Sequence, residues 1–362
     1  MKATWTLAAA FGLLATAFAG EGAKLIEVAS FGKNQPIGMA AAADPQRVFV
    51  SFPRKEPYLY GLTEIVKGER VPFPDKEWNH YDAAKEQSCF VNVQDLFVDS
   101  RDDLWVLDSA PAGSASIFGG NAGEGKFKLV QIDLAENKVA RVYDFPDLPK
   151  KGSALNDMCI DHTHKAAYLS DPAQKAIVVM DLESGKSRVV LKEDASTVAT
   201  PGFVLHLDGK DVVDRSGKPF VSNVNGIALT EDDRWFYYRA INQTKLYRIG
   251  TRFLADASLS DKELSAKVET VADTGVCHGM IADAKGNIFI TDSVNKEIRY
   301  VTPSGEVKTL VKDDRLLWPD SLGIGSDGFL YLTASQIHRT ANYNDGTDRV
   351  EYPFRAYKVA LP

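Results

Sequence analysis

The sequence lacks most of the motifs that mark common enzyme classes. Its 362 residues include 3 cysteines and 6 histidines. No cysteine lies in a C-x-x-C pair, which argues against a zinc knuckle. H-E-x-x-H, G-x-S-x-G and a phosphate-binding glycine loop are also absent. These absences argue against a zinc protease, an α/β-hydrolase and a nucleotide-binding protein.

The chain also lacks a basic excess. Its 42 basic and 49 acidic residues give a net charge of −7. Because there is no excess of basic side chains to neutralise a phosphate backbone, nucleic acid is not expected as the main partner. Hydrophobic residues make up 44% and charged residues 25%, which is typical of a globular protein and not of a disordered chain.

Long hydrophobic runs are confined to the N-terminus. Lys2 is followed by apolar or small residues 5–18, and Ala17-Phe18-Ala19 fits an A-x-A cleavage site. We expect a signal peptide over residues 1–19, cleavage after about Ala19, and a secreted or periplasmic chain. Residues 20–362 are predicted to form a single domain. After cleavage no stretch is long enough to span a membrane, so no membrane partner is expected.

The cysteines Cys89, Cys159 and Cys277 are odd in number. At least one must therefore be free or paired with another molecule. We interpret all three as buried thiols that pack as small hydrophobic side chains.

One pattern occurs six times along the chain: an apolar strand, a tight polar turn and a second apolar strand. The turns include DSRDD, DHTHK, TEDDR, DAKGN and GSDG, which are rich in turn-forming residues. Two more strands follow each pair, so the repeat is a four-stranded antiparallel meander. A repeat of about 57 residues with no helical period predicts an all-β fold, a six-bladed β-propeller.

The last repeat is one strand short. After residues 329–332 it holds a single further strand at 354–359. We expect residues 24–31 to supply the missing strand, which closes the ring and removes an exposed sheet edge.

The long links between strands are predicted to lie on one face of the ring. They are residues 74–93, 109–126, 192–224 and 339–353. Because insertions concentrated on one face of a repeat protein often mark its binding face, we expect the ligand there.

The residue that leads the first strand of each repeat should enter the central channel from this face. Five of the six leading residues are polar, and Asp95 and Asp157 adjoin two of them. The leading residues are Ile37, Gln94, Asn156, Asn225, His278 and Asp320. They form either a small-molecule or metal site, or a polar cap that holds ordered water.

Aromatic residues in the long links are candidates for the wall of a ligand pocket: Trp78, Tyr81, Phe203, Trp318 and Tyr343. Packing between the links explains them equally well. His162 and His164 fall in a short turn on the other face, where we expect them to be solvated. Asn242-Gln243-Thr244 matches a glycosylation sequon.

Four stretches resemble the major royal jelly protein and yellow family. They read SFPRKEPYLYGLTEI, SCFVNVQDLFVDSRDDLWVLDSA, SALNDMCID and VNGIALTEDDRWFYYRAINQTKLYRI. The resemblance implies a secreted six-bladed propeller. Some members bind biogenic amines in the channel mouth and some convert dopachrome, whereas others have no known catalysis. The family pairs the cysteine that matches Cys89 with one in the following loop, which has no counterpart in residues 109–126.

The predicted fold is also similar to that of the gluconolactonases, which hold a divalent metal with a Glu, an Asn and an Asp. Asn225 and Asp320 resemble the last two, but no Glu occurs near residues 35–38. We therefore expect no firm cofactor and at most weak binding of calcium or zinc at Asn225 and Asp320. Gln94, Asn156 or Asp157 would have to compensate, since a hard cation needs several oxygen ligands.

Two hypotheses follow, and both leave the oligomeric state open. The first is a binding protein or isomerase for a small aromatic amine or catechol. Its ligand-binding residues would be Gln94, Asn156, Asp157, Phe203, Asn225, Trp318 and Tyr343. As an isomerase it would use His278 or Asp320 as the base. The second is a metal-dependent lactonase, whose metal would polarise the ester carbonyl.

Overall fold

The computed structural model describes residues 23–113 and 123–362. These form six four-stranded antiparallel sheets, plus one two-stranded hairpin. The first strand of each sheet contacts the first strand of the next around a central channel. The predicted six-bladed β-propeller is thus confirmed. The predicted signal peptide and its cleavage after Ala19 lie outside the described residues.

Each blade runs from an inner strand at the channel to an outer strand at the rim. Blade one contains β2 (Met39–Ala41), β3 (Val48–Ser51), β4 (Leu62–Val66) and β5 (Glu69–Pro72). Blade two contains β6 (Val93–Val98), β7 (Asp103–Ala110), β8 (Lys126–Asp133) and β9 (Lys138–Asp144). Blade three contains β10 (Met158–Asp161), β11 (Ala166–Asp171), β12 (Ala176–Asp181) and β13 (Ser187–Val190). Blade four contains β16 (Val224–Leu229), β17 (Trp235–Ala240), β18 (Lys245–Gly250) and β19 (Glu269–Asp273). Blade five contains β20 (Met280–Ala282), β21 (Ile288–Asp292), β22 (Glu297–Val301) and β23 (Val307–Lys312). Blade six contains β24 (Pro319–Ile324), β25 (Phe329–Ala334), β26 (Arg355–Ala360) and β1 (Ile26–Ser30).

The remaining elements are short and lie in the links. They are the hairpin β14 (His206–Leu207) and β15 (Lys210–Asp211), the helices α1 (Lys76–Asn79), α2 (Thr251–Ala255) and α3 (Asp261–Ser265), and single 3-10 turns at Glu86–Ser88, Ile337–Arg339 and Ala341–Tyr343. No helix of the described residues has the length and apolar character needed to cross a bilayer.

The hydrophobic core lies between the blades. Strand β11 in the middle of blade three is buried at every residue, whereas the outer strand β9 is mostly exposed or half-buried. Between blades two and three, Leu129 packs in one cluster with Met158 and Val178. Middle strands that are covered on both faces consist of continuous apolar runs. The repeat could therefore be predicted from the sequence.

The N-terminal strand closes the ring, as predicted. Strand β1 pairs antiparallel with β26, with Ile26 opposite Lys358 and Ser30 opposite Arg355. The Phe31 amide donates to the Phe354 carbonyl at 2.8 Å. Phe31 also packs in a cluster that joins blade six to blade one. The first and the last strand of the described chain are therefore held in one sheet.

The inner strands approach one another closely. A Cβ atom added at Gly226 would lie 2.3 Å from the His278 carbonyl oxygen, and one at Gly279 would lie 1.9 Å from that of Asp320. Glycine is required at both positions because any side chain would collide with the backbone of the next blade. The inner strands of neighbouring blades are therefore in direct backbone contact.

The two faces of the ring differ as predicted. Links from second to third strands, and from blade to blade, define the mouth face; the other links define the turn face. The long links 73–92, 191–223 and 335–354 all lie on the mouth face, as does 111–125, of which residues 114–122 are not described. The one long link on the turn face, 251–268, carries α2 and α3. All three cysteines are free and buried, which confirms their interpretation as packed thiols.

Deleting residues 1–31 tests the closure. We expect aggregation, or a melting temperature lower by roughly 10 °C, because the edge of β26 becomes exposed and the burial of Phe31 is lost. Size-exclusion chromatography and thermal melting provide the measurement. Deletion of residues 1–22 is the control and should leave melting unchanged. A monomeric 1–31 deletion with wild-type melting would show that β1 does not hold the ring together.

Candidate functional site

The mouth of the channel opens into a cavity of about 470 Å³. Five of the six leading residues line it: Ile37, Gln94, Asn156, Asn225 and Asp320. In β6, β16 and β24 the pairing register is broken near these residues, between Val93 and Asp95, Val224 and Ile227, and Pro319 and Leu322. Such β-bulges re-aim side chains, and here they occur where the strands enter the mouth.

The sixth leading residue, His278, does not line this cavity. It is fully buried, its ring stacks on Trp318 at 4.2 Å, and its Nε2 lies 2.7 Å from Ser293 Oγ. Burial lowers the pKa of His278 to about 3. The ring is therefore neutral, and Trp318 covers it.

Trp318 stacks with two histidine rings, that of His278 at 4.2 Å and that of His338 at 5.8 Å. Its φ of 56° is unusual for so large a residue. The Ser335 amide donates to the Trp318 carbonyl at 3.0 Å and fixes this backbone. Trp318 lines the cavity but is only 1% exposed.

The other predicted aromatic residues take different places. Phe203 and Tyr343 pack in a hydrophobic cluster behind Trp318 and do not line the mouth cavity. Phe220 lines it instead, with its ring 5.2 Å from that of Trp318 in an edge-on arrangement. Sequence reasoning missed Phe220, and its only signal was an aromatic residue in the longest link. Trp78 lies outside this cavity and packs on Phe90.

A second cavity of about 430 Å³ continues down the channel from the mouth towards the turn face. It shares Ile37, Gln94, Asn156 and Asp320 with the mouth cavity, and these four residues form the boundary between the two. Three carboxylates meet in the second cavity: Asp95, Asp157 and Asp320.

Hydrogen bonds connect the boundary to the carboxylates. Gln94 Nε2 donates to Asn156 Oδ1 at 3.2 Å, and Asn156 Nδ2 donates to Asp157 Oδ1 at 2.7 Å. Asp95 Oδ2 accepts from the Met158 amide at 3.0 Å. Asp320 Oδ2 accepts from Ser335 Oγ at 2.6 Å. These bonds orient the carboxylates, but none of them supplies a positive charge.

The three carboxyl groups are therefore weak acids. Burial raises the pKa of Asp95 to about 7, with a further increase from the charge of Asp320. Burial also raises the pKa of Asp320 to about 6. The pKa of Asp157 is raised well above its ordinary value by burial and by the charges of Asp95 and Asp320. Narrow apolar walls and like charges both favour the protonated form.

The donor set does not fit the metal site of a gluconolactonase. Asn225 and Asp320 both line the mouth, but Asn225 Nδ2 donates to Ser222 Oγ at 3.2 Å. In place of the missing Glu, Gln35 donates to the Ser335 carbonyl at 2.5 Å and accepts from Lys55 at 3.2 Å. Within residues 23–113 and 123–362, no group of three or more His, Cys, Asp or Glu side chains is placed to hold a metal ion.

Two links cover part of the mouth and are tied to each other. The turn of the β14–β15 hairpin carries Asp208, whose Oδ2 accepts from Arg339 Nε at 2.8 Å and lies 3.1 Å from His338 Nε2. These two partners hold the pKa of Asp208 well below its ordinary value despite its partial burial. From the same hairpin, Lys210 Nζ donates to the Tyr343 carbonyl at 3.0 Å.

Asn242 anchors the longest link and is not an available glycosylation site. Its side chain is fully buried. Nδ2 donates to the carbonyls of Phe203 and Phe220 at 3.1 and 2.9 Å, and Oδ1 accepts from the Ser222 amide at 2.8 Å. In the folded protein the sequon amide is occupied by these bonds.

The two turn-face histidines are not simply solvated, contrary to expectation. His162 Nε2 lies 2.9 Å from Asp99 Oδ2, and His164 Nδ1 lies 2.7 Å from Asp161 Oδ2. Both rings are half-buried and stabilise the turns that carry them. The partner of His162 is distant in sequence, and that of His164 lies beside the same irregular turn. The periodicity of the strands therefore predicts neither contact.

A family model described as "Major royal jelly protein" matches residues 91–361. The Yellow-related salivary protein SP04 of Phlebotomus argentipes is 22% identical over 333 residues, which cover 83% of this chain and 78% of that protein. The Yellow-related salivary protein LJM17 of Lutzomyia longipalpis is 23% identical over 244 residues, 61% of this chain and 57% of that protein.

Solved structures of low identity share the fold. A gluconolactonase of Xanthomonas campestris superposes with a TM-score of 0.55 at 11% identity, covering 94% of this chain and 90% of its own. At this identity the likeness shows a shared propeller fold and nothing more.

Asp95→Asn tests the charge of the channel. Because the pKa of Asp95 is raised from 3.8 to about 7, the folded protein holds a proton between about pH 4 and pH 7 that the unfolded chain has released. The carboxyl therefore costs stability as the pH rises through this window. We expect the variant to melt roughly 3 °C above wild type at pH 8, the shift from about 1 kcal/mol, and close to it at pH 4. The exposed Asp44→Asn is the control, and a pH-independent loss of stability in Asp95→Asn would contradict the raised pKa.

Asn242→Ala tests the anchor of the longest link. The substitution leaves one amide and two carbonyls without their partner, so we expect a loss of roughly 2–3 kcal/mol in the free energy of unfolding. Urea denaturation provides the measurement. Asn342→Ala, at an exposed position on a neighbouring link, should change the free energy by less than about 0.5 kcal/mol. Equal stabilities of the two variants would remove Asn242 from this role.

Proposed function

The chain belongs to the major royal jelly protein family, and from this premise we propose that it is a secreted propeller that binds a small aromatic amine or catechol in the mouth cavity. The observation that carries the proposal is the pairing of an aromatic wall with a carboxylate. Trp318 and Asp320 line the same cavity of about 470 Å³, a volume suited to a small molecule.

Secretion is supported by two independent features. Residues 1–19 have the sequence pattern of a signal peptide. The two relatives reported above are named as salivary proteins. The absence of a basic run gives no support to nucleic acid as a partner.

The proposed ligand contacts follow from the chemistry of the cavity. The ligand's aromatic ring lies in the part of the cavity that Trp318 and Phe220 line. An ammonium group meets Asp320, and the amides of Asn156 and Asn225 face the ligand's hydroxyl groups. A charge-assisted hydrogen bond in such a sheltered place is worth roughly 1.5–3 kcal/mol.

Dopachrome-converting activity would depend on Asp320. Of the two bases considered from sequence, His278 is sealed behind Trp318, whereas Asp320 lines the cavity. A carboxyl with a pKa of about 6 can accept a proton from a substrate carbon near neutral pH. The proposal therefore assigns any isomerase step to Asp320, with Trp318 positioning the ring.

The lactonase alternative is supported by the fold alone. At 11% identity, the gluconolactonase likeness carries no residue role to this chain. Asn225 and Asp320 share the cavity, but the third metal ligand of that family has no replacement in blade one.

Asp320→Asn tests the proposed site with tyramine as the aromatic amine. We expect its affinity to fall roughly tenfold at pH 7.5, since about 1.4 kcal/mol of charge-assisted bonding is lost. Isothermal titration calorimetry measures the change. Asp44→Asn makes the same substitution at an exposed turn-face position and should bind as wild type does. Equal tyramine affinities for wild type and Asp320→Asn would place the ligand elsewhere.

A further inference from the structure

The cavity beneath the mouth carries negative charge at both of its ends and no positive charge. Among the described residues that line it there is no Lys, Arg or His. Its middle is walled by apolar side chains such as Met39, Leu96 and Ile160. Asp95, Asp157 and Asp320 therefore share a low-dielectric space in which full ionisation of all three is strongly unfavourable.

The other titratable groups around this cavity add no positive charge to it. At the turn-face end the cavity is lined by acidic residues: Asp99, Asp102, Glu231, Asp233 and Asp283. Of these, Asp99 is paired with His162. Cys159 lines the wall as a neutral thiol whose pKa is raised by burial, and His278 is neutral behind Trp318. In the mouth cavity above, the one basic lining residue described is Lys151, which is exposed.

We propose that the mouth site prefers a cation to a neutral catechol, and that the bound cation displaces a proton held among Asp95, Asp157 and Asp320. This inference rests on the proposed function and selects the ligand's charge class within it. Without a ligand, a proton relieves the repulsion among the three carboxyl groups. A ligand's ammonium group provides the same relief from the mouth side.

The exchange balances as a simple acid–base step. One carboxyl O–H bond breaks, and its proton leaves to solvent through the water-accessible cavity. The ligand's N–H then donates to the carboxylate of Asp320. No electron is transferred and no co-reactant is required. A neutral catechol brings no charge, so it leaves the proton in place.

The boundary between the two cavities couples the ligand to the deeper carboxylates. Asp320 lines both cavities and acts electrostatically on Asp95 and Asp157. Asn156 lies at the boundary and bonds to Asp157. Asp95 and Asp157 line only the deeper cavity, so they set the proton content without lining the proposed ligand cavity.

Calorimetry of the full-length secreted protein with tyramine and with catechol tests this inference. Titrations run from pH 5 to pH 8 in pairs of buffers with different ionisation enthalpies, which report the number of protons released. The tyramine ammonium stays charged throughout, as an amine with a pKa near that of lysine does. We expect tyramine affinity to rise about tenfold between pH 5 and pH 8, with release of up to one proton near pH 6–7. Catechol affinity should be weaker and constant.

Asp157→Asn is the discriminating variant, and Asp95→Asn serves if it does not fold. Removing one like charge lowers the pH at which the remaining carboxyl groups lose their protons. The rise in tyramine affinity should therefore move to lower pH, and fewer protons should be released at pH 6.5. Asp44→Asn should match wild type in both respects.

The possible failures are distinguishable. Tyramine binding with no proton release and no pH dependence would overturn the exchange and leave the binding function intact. Catechol binding as tight as tyramine binding would overturn the charge preference. An unchanged pH profile in the deep-cavity variant would show that these carboxylates are not the proton donors. Binding of neither probe at any pH would overturn the proposed function, and the exchange with it.

Discussion

The pairing of β1 with β26 is the constraint on which the rest of the protein depends. A propeller blade cannot bury both of its faces alone, so each needs a neighbour on either side. The ring supplies those neighbours only if its two ends meet. Here they meet within one sheet, where the first described strand forms the outer edge of the last blade. The closure positions the residues of the mouth, because five of the six blades contribute their leading residue to the same opening.

Closure also dictates how tightly the inner strands approach. At Gly226 and Gly279 the backbone of one blade lies against a carbonyl of the next. The inner strands therefore enclose the cavities of the channel, in which burial raises the pKa of the polar carboxyl groups. The carboxyl groups of Asp95, Asp157 and Asp320 are weak acids for this reason. The geometry that stabilises the ring thus creates the electrostatic character of the site.

The long links complete the mouth by contacts between distant parts of the chain. Asn242 bonds to Phe203 and Phe220 within the longest link, and Asp208 ties that link to the helical turn containing His338. His338 in turn stacks on Trp318. Trp318 is therefore in contact with two histidine rings whose pKa values are lowered by burial. A leading-residue position in a blade does not by itself make a side chain accessible.

The sequence by itself determined the repeat, the closure and the polar ring of the mouth. These depend on local alternation of apolar and polar residues and on spacing, which a single chain displays directly. Which side chains line the mouth cavity depends on the tertiary structure. In the folded chain His278 is buried, and the amide of Asn242 is hydrogen-bonded. Phe220 lines the mouth cavity, whereas Phe203 and Tyr343 do not. The physical reason is that accessibility is set by contacts between links far apart in sequence, and such contacts leave no periodic signal.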